Sequence, residues 1–306
     1  MAGDDVMFDK VALIGLGLIG SSLGRALRGN GLAARIAGAA RTEATCETAL
    51  RIGFVDEAGT DPAAAVADAD LVVIGTPVGT YATVADIIAP ALKPGAIVTD
   101  VGSVKQVVVR DLAGRLPDGV HLVPGHPVAG TEHSGPESGF AELFRDYWCI
   151  LTPPPGTDEA AVERVAAMWR ACGMIVEVMD AEHHDTVLAV TSHLPHLIAY
   201  AIVGTATDLE DSMRREVLKF AASGFREFTR IAASNPVMWR DIFLNNKEAV
   251  LEVLGRFSED LTALQRAVRR GEGEVLHDLF TRTRDIRRGV IEAGRPGQFN
   301  PRKSAE

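Results

Sequence analysis

The chain has little that would tie it to a membrane, a nucleic acid or an oxidising compartment. It contains three cysteines, Cys46, Cys149 and Cys172, scattered and without a CxxC pair. That suits buried thiols in a reducing cytoplasm better than a disulfide framework. Positive charge is not in excess: 31 Lys and Arg stand against 41 Asp and Glu, a formal net charge of -10. Nucleic-acid binding needs clustered basic residues to meet phosphates, so that partner is not expected. A small anionic substrate is compatible, because one local arginine can outweigh a distant acidic surface. Long apolar runs are also missing. The longest, Leu194 to Gly204, is interrupted by Pro195 and His196 and falls short of the ~20 residues of a bilayer span. Residues Met1 to Lys10 include Asp4, Asp5 and Asp9 and do not read as a signal peptide. No internal repeat is visible. What remains is ordinary for a globular protein, 306 residues of which 47% are apolar and 24% charged, enough for two domains.

Lys10 to Leu16, KVALIGL, is an apolar, β-prone run of the kind buried on both faces of a parallel sheet. It leads into Gly15-Leu16-Gly17-Leu18-Ile19-Gly20 and then Ser21 to Leu27, so a GxGxxG motif lies between a strand and a helix. Gly15 permits the tight turn, Gly17 the approach of a pyrophosphate, and Gly20 close packing of helix on strand; Leu18 and Ile19 open the helix. The next strand, Arg35 to Ala39, is followed by Ala40, Arg41 and Thr42, where NAD-binding folds commonly carry an acid for the ribose 2′-hydroxyl. Without that acid nothing repels a 2′-phosphate, and Arg41 is placed to pair with one. The cofactor is read as NAD(P), leaning towards NADP.

Further strands are expected at Asp70 to Gly75, Ala96 to Val101, His121 to Val123, Tyr147 to Thr152 and Met174 to Met179. Helices are expected between them, at Thr42 to Arg51, Tyr81 to Leu92, up to Leu116, and Asp158 to Cys172. This alternation predicts an α/β protein with one parallel, doubly wound sheet. Ligands of such sheets bind beyond the carboxyl ends of the strands. Thr76-Pro77, Ser103 and His126 each follow a strand and should converge on the nicotinamide end of the cofactor. His126 stands in Gly125-His126-Pro127-Val128-Ala129-Gly130-Thr131-Glu132, presented at a strand end as a natural proton acceptor. The competing reading is a loop histidine that only satisfies backbone groups.

After Asp180 the pattern becomes helical, at Glu182 to Thr207, Arg214 to Phe225, Pro236 to Arg270 and Val275 to Ile291. The predicted division is therefore a dinucleotide-binding domain over 1–180 and an all-α domain over 181–306. Val187 to Ile202 is apolar nearly all round and should be buried centrally or between subunits, which points to a homodimer. Within it His193 and His196 share a helix face, with Pro195 between them expected to kink the chain. Nearby residues on that helix do not complete a ligand set, so no metal is expected. Arg226 and Arg230 lie among apolar residues and call for an anionic partner, either a ligand carboxylate or an internal acid such as Glu227, Asp241 or Glu132.

The motifs GLGLIG, DVGSVK, GHPVAGTEHSG, SHLPH and FTRIAASNPVMWRDI together resemble the prephenate and arogenate (cyclohexadienyl) dehydrogenases of tyrosine biosynthesis, over about Lys10 to Arg270. The resemblance implies a Rossmann-type domain followed by a helical dimerisation domain. It also implies NAD(P)-dependent oxidative decarboxylation of prephenate or arogenate in the cytoplasm, needing neither metal nor covalent intermediate. On it, His126 takes the substrate hydroxyl proton, and Ser103 orients it or the nicotinamide. Arg230 holds a substrate carboxylate, His193 and His196 line the pocket, Thr131 and Glu132 lie at its rim, and Trp239 supports its wall. No regulatory or chorismate mutase domain is expected, and any tyrosine inhibition is then expected at the active site. Two rivals remain: a hydroxyacid dehydrogenase, although Lys219 and Lys247 do not fit that family's lysine motif, and a non-catalytic NADP-sensing module.

Overall fold

The computed structural model describes residues 6–208, 216 and 219–293. Strand β1 (Phe8–Ile14) is buried at every residue but Asp9. It lies between β2 (Ala33–Ala39) and β4 (Leu71–Ile74), parallel to both. With β3 (Glu57–Gly59), β5 (Ile97–Asp100) and β6 (His121–Val123) these form a six-stranded sheet in the order β3-β2-β1-β4-β5-β6. Every pairing in it is parallel. Side chains alternate across the pleat: Val11 and Leu13 join one apolar cluster with Leu23, Leu27 and Trp169. Ala12 and Ile14 join another with Tyr81, Ile88 and Val108. Both faces are thus covered, and the helices α1 (Leu18–Gly29), α2 (Glu43–Ile52), α3 (Pro62–Val66), α4 (Tyr81–Ile88) and α5 (Gln106–Leu112) supply much of the cover. The strand order reverses between β1 and β4, which opens a crevice at their carboxyl ends.

The chain then leaves this sheet. Pro124 has no N–H with which to extend the ladder on β5, and the Gly125 N–H donates to the Asp100 carboxylate at 3.1 Å instead. Strand β7 (Gly125–Pro127) pairs antiparallel with β8 (Trp148–Leu151), and β8 pairs parallel with β9 (Ile175–Val178). The expectation of one parallel sheet is corrected accordingly: the strands at 147–152 and 174–179 belong to a separate three-stranded sheet. His126 lies inside a strand of it rather than in a loop at a strand end. Helix α6 (Glu159–Ala171) is capped by the Asp158 side chain.

Helix α7 (Ala181–Leu188), capped by Asp180, runs through a π-helical turn (Ala189–His193) into α8 (Leu194–Thr207). The irregularity expected at Pro195 therefore takes the form of a wide turn just ahead of it, which accommodates the N–H that Pro195 lacks within the continuous helix. The helix expected over Arg214 to Phe225 is corrected: residues 214, 215, 217 and 218 lie outside the described residues, Glu216, Lys219 and Phe220 are helical, Ala221 and Ala222 are not, and a new helix, α9 (Ser223–Thr229), begins after them. The helix expected from Pro236 to Arg270 is two helices, α10 (Pro236–Asn245) and α11 (Lys247–Arg270). They break at Asn246 (φ -114, ψ 34), whose buried amide bonds other groups. Helix α12 (Gly273–Ala293) follows. Residues Met1–Lys247 form one compact unit and Glu248–Glu306 a second.

Candidate active site

The glycine turn after β1 is built to approach a ligand. Gly15 has φ +105, and a Cβ there would lie 2.6 Å from the Gly75 backbone. A Cβ on Gly20 would strike the Gly15 carbonyl, whereas one on Gly17 would meet nothing within 4 Å. Gly17 is also the N-cap of α1 and offers no side chain to its free N–H groups. This open, uncapped twelve-residue helix start beside the sheet's crevice fits a dinucleotide pyrophosphate. Leu18 and Ile19 lie half-buried in the first turn. Arg41 is exposed, and Thr42 caps α2, its hydroxyl accepting from Thr45 N at 3.3 Å. Beyond β4, the Thr76 hydroxyl accepts from Thr80 at 2.9 Å, with Pro77 exposed beside it.

A buried polar knot sits beyond β5. Lys105 Nζ donates to Asp100 Oδ2 and to the Gly125 carbonyl, each at 2.6 Å, and both charged side chains are fully buried. Burial draws the Lys105 ammonium below its ordinary range while Asp100 opposes the change. Asp100 also accepts from Gly102 N at 2.7 Å and from the Tyr81 hydroxyl at 3.2 Å. The knot ties the end of the first sheet to the start of the second and so fixes where His126 emerges.

His126 is 6% exposed. Its Nδ1 lies 2.8 Å from Nε2 of His184, and His184 Nδ1 lies 2.8 Å from Asp185 Oδ1. The Asp185 carboxylate further accepts from Lys105 N at 2.7 Å and Gln106 N at 2.9 Å. Burial pushes His126 well below the ordinary imidazole range, helped by His184, Lys105 and His193. His184 is lowered by burial against the opposing hydrogen bond from Asp185.

Asn246 links this row to the helix histidines. Its amide nitrogen donates to the Asp185 carbonyl at 2.8 Å and to His193 Nδ1 at 3.1 Å, so His193 carries its hydrogen on Nε2. Burial lowers His193 to about 4. The nearby Ser103 backbone favours its charged form, yet His193 Nε2 and Trp239 Nε1 remain buried without a good hydrogen bond among the described residues. His196 donates from Nδ1 to the Ser192 carbonyl at 2.9 Å and stacks on Trp239 with ring centroids 3.6 Å apart. Ser103 is half-buried just after β5. Arg230 lies further out: its side chain is 58% exposed, not surrounded by apolar groups as expected, and pairs with Glu132 at 3.1 Å. Thr131 accepts from His133 N at 3.2 Å in the same exposed segment.

Sequence reasoning named His126, His193, His196 and Trp239 but passed over His184, Asp185, Asn246 and Lys105. The available signal was the His183-His184-Asp185 triplet after the capping Asp180, and a lysine inside DVGSVK.

A dinucleotide cradle at the switch point of a parallel sheet, with a buried neutral histidine past the neighbouring strands, defines a nicotinamide-dependent oxidoreductase. Residues 23–178 match the model of the prephenate dehydrogenase nucleotide-binding domain, and residues 180–282 that of the prephenate dehydrogenase dimerization domain. The chain belongs to the prephenate dehydrogenase family. It is 41% identical to the cyclohexadienyl dehydrogenase of Zymomonas mobilis, covering 92% of this chain and 96% of that protein. The structure superposes on prephenate dehydrogenase from A. aeolicus, solved with hydroxyphenyl propionate and NAD+, with TM-score 0.85 and 35% identity, covering 92% of this chain and 98% of that one. Synechocystis arogenate dehydrogenase gives TM-score 0.76 and 30% identity, covering 92% and 99% respectively.

Proposed function

We propose that the chain oxidatively decarboxylates prephenate, arogenate or both with NAD(P)+, yielding 4-hydroxyphenylpyruvate or tyrosine, and that His126 is the base. One observation carries the assignment: His126 is buried and neutral, Nδ1 is committed to His184, and Nε2 has no partner among the described residues. A base must meet its proton within hydrogen-bond reach, and Nε2 is the nitrogen left to do so. Ser103 orients the hydroxyl or the nicotinamide amide. The His193 Nε2–H and the Trp239 N–H are buried donors without a good hydrogen bond among the described residues, suited to substrate oxygens, and His196 completes that wall. Arg230 exchanges Glu132 for a substrate carboxylate, so Glu132 and Thr131 form the rim. Bound nicotinamide supplies the hydride acceptor, and aromatisation with loss of CO2 drives the reaction.

The cofactor cradle is Gly15, Gly17, Leu18, Ile19 and Gly20, with Thr76, Pro77 and Ser103 towards the nicotinamide. Ala40 in place of an acid, next to exposed Arg41 and to Thr42, supports NADP over NAD. The division into a dinucleotide-binding part (1–180) and a helical substrate-binding and dimerising part (181–306) belongs to the same reading. So do a homodimer and a cytoplasmic location, the latter supported by three free, buried cysteines. The test is a two-by-two assay of prephenate or arogenate with NAD or NADP, run beside His126→Asn. Turnover lost by about 100-fold or more in the variant, with cofactor affinity kept, is the expected result. No turnover in any combination by folded, cofactor-binding protein would sink the reading and favour a sensor module.

A further inference from the structure

The hydrogen-bond row His126–His184–Asp185 has only one consistent arrangement of protons in the resting protein. Ionised Asp185 can only accept. His184 Nδ1, 2.8 Å away, must therefore carry hydrogen, and in neutral His184 the other nitrogen, Nε2, is an acceptor. His126 Nδ1, 2.8 Å from it, must donate. That leaves the lone pair of His126 on Nε2, the nitrogen proposed to meet the substrate hydroxyl. The row thus selects the tautomer of the base, a task for which the His126 backbone has no means of its own.

The same row offers the proton a second place to rest. An imidazolium on His126 faces Lys105, whose ammonium bonds the neighbouring Gly125 carbonyl at 2.6 Å, and faces His193. The Cys149 thiol on β8 is pushed up by burial and stays neutral. Among the described residues no carboxylate is in hydrogen-bond contact with His126. An imidazolium on His184 touches the Asp185 carboxylate, with Asp100 nearby to offset Lys105.

We propose that His184 and Asp185 form a proton relay with His126: as Nε2 of His126 takes the substrate hydroxyl proton, its Nδ1 proton passes to His184 Nε2, and the positive charge comes to rest beside Asp185. The balance is closed. The O–H proton ends on His126 Nε2, the former Nδ1 proton ends on His184, and the carbinol hydride leaves with its electron pair for the nicotinamide. The relay rests on the assignment of His126 as base. His184 and Asp185 are positioning residues that do not touch substrate. A charge stabilised beside the Asp185 carboxylate lowers the cost of taking the hydroxyl proton.

The test compares wild type, His184→Gln and His126→Asn, measuring kcat, KM, cofactor Kd and the pH profile of kcat/KM at saturating cofactor. Glutamine keeps an acceptor for His126 Nδ1–H but cannot take the proton. In His184→Gln the plateau should fall about 10- to 100-fold with KM and cofactor Kd within about twofold. The acid limb should also move to lower pH, because the first proton then lands on His126 itself. A lower plateau with an unmoved limb would mean that His184 only props up the site, and the relay would be wrong. Activity within twofold of wild type would likewise overturn it, provided His126→Asn is inactive. If His126→Asn retains turnover, the underlying assignment of the base fails instead. Should His184→Gln not fold, 15N spectra of the histidine rings in wild-type protein decide: hydrogen on Nδ1 of both His126 and His184 is required, and hydrogen on Nε2 of neutral His126 refutes the row.

Discussion

Four of the eight histidines in the sequence lie in or beside the candidate active site, and burial makes each of them resist protonation. His193 shows the consequence for stability. It titrates at about 4 in the folded protein against 6.5 when exposed. Above pH 6.5 it is neutral in both states and contributes nothing to pH dependence. Between 6.5 and 4 the unfolded chain binds a proton that the native one refuses, so stability falls with pH and levels off below about 4. The full difference corresponds to about 3 kcal/mol from this residue, and His126 and His184 act in the same direction. Urea unfolding at about pH 7 and pH 5 should show the loss, with a flatter profile in His193→Gln. An unchanged midpoint would mean that these rings take up a proton in the folded protein as readily as in water. At this scale the sequence disclosed the histidines that stand among glycine, proline and apolar residues, because their settings look unusual. His184 and Asp185 were hidden: a polar first turn behind a capping aspartate reads as solvated helix surface. Only the exit of β7 from the first sheet brings His126 against them.

The glycine turn separates two roles that the GxGxxG pattern lumps together. Gly17→Ala adds a methyl in open space, so the fold should hold, with Tm within about 2 °C. Its cofactor affinity should fall about 10-fold or more, as the methyl stands where a pyrophosphate comes closest. Gly20→Ala drives a methyl into the Gly15 carbonyl and should cost about 1–3 kcal/mol of stability. Thermal melts with and without cofactor distinguish the two, and an equal loss of Tm in both would contradict the assignment. The turn was legible because strand, glycines and helix follow one another in sequence. The separate three-stranded sheet was not, since partners such as Gly125 and Leu151 are distant in the chain and strand propensity carries no pairing information. The break at Asn246 was hidden for a similar reason. Helical periodicity continues through it, and what stops the helix is the tie to Asp185 and His193, made across 61 and 53 residues.

The apolar surface of the single chain is more than a lone soluble protomer needs. In the stretch Ala181–Thr207 the most apolar window has mean hydropathy 1.5 and is only 22% buried, with Val190 and Ile202 exposed. By length and composition such a helix is able to cross a membrane. The same stretch, however, buries His184, Asp185 and His193, groups whose burial is costly unless protein partners satisfy them. In the second compact unit, Leu251, Leu261, Val268, Val275, Phe280 and Ile286 are all more than half exposed. Helix α11 keeps only Val250 and Ala267 buried among its described residues. Two unpartnered helical surfaces of this size fit a second copy of the chain, since most soluble oligomers are symmetric homodimers. Sedimentation should give a dimer at micromolar concentration. The double change Leu261→Glu with Phe280→Glu should shift it towards monomer at the same loading, because each buried, unpaired carboxylate costs several kcal/mol in an interface. Cofactor affinity tells the two levels apart: the cradle around Gly17 lies in the first compact unit, so a monomeric variant should still bind NAD(P). A wild-type monomer in solution would leave these apolar faces unexplained and remove the dimer from the proposal, while a variant that loses the cofactor together with the dimer would show that the first unit depends on its partner for folding.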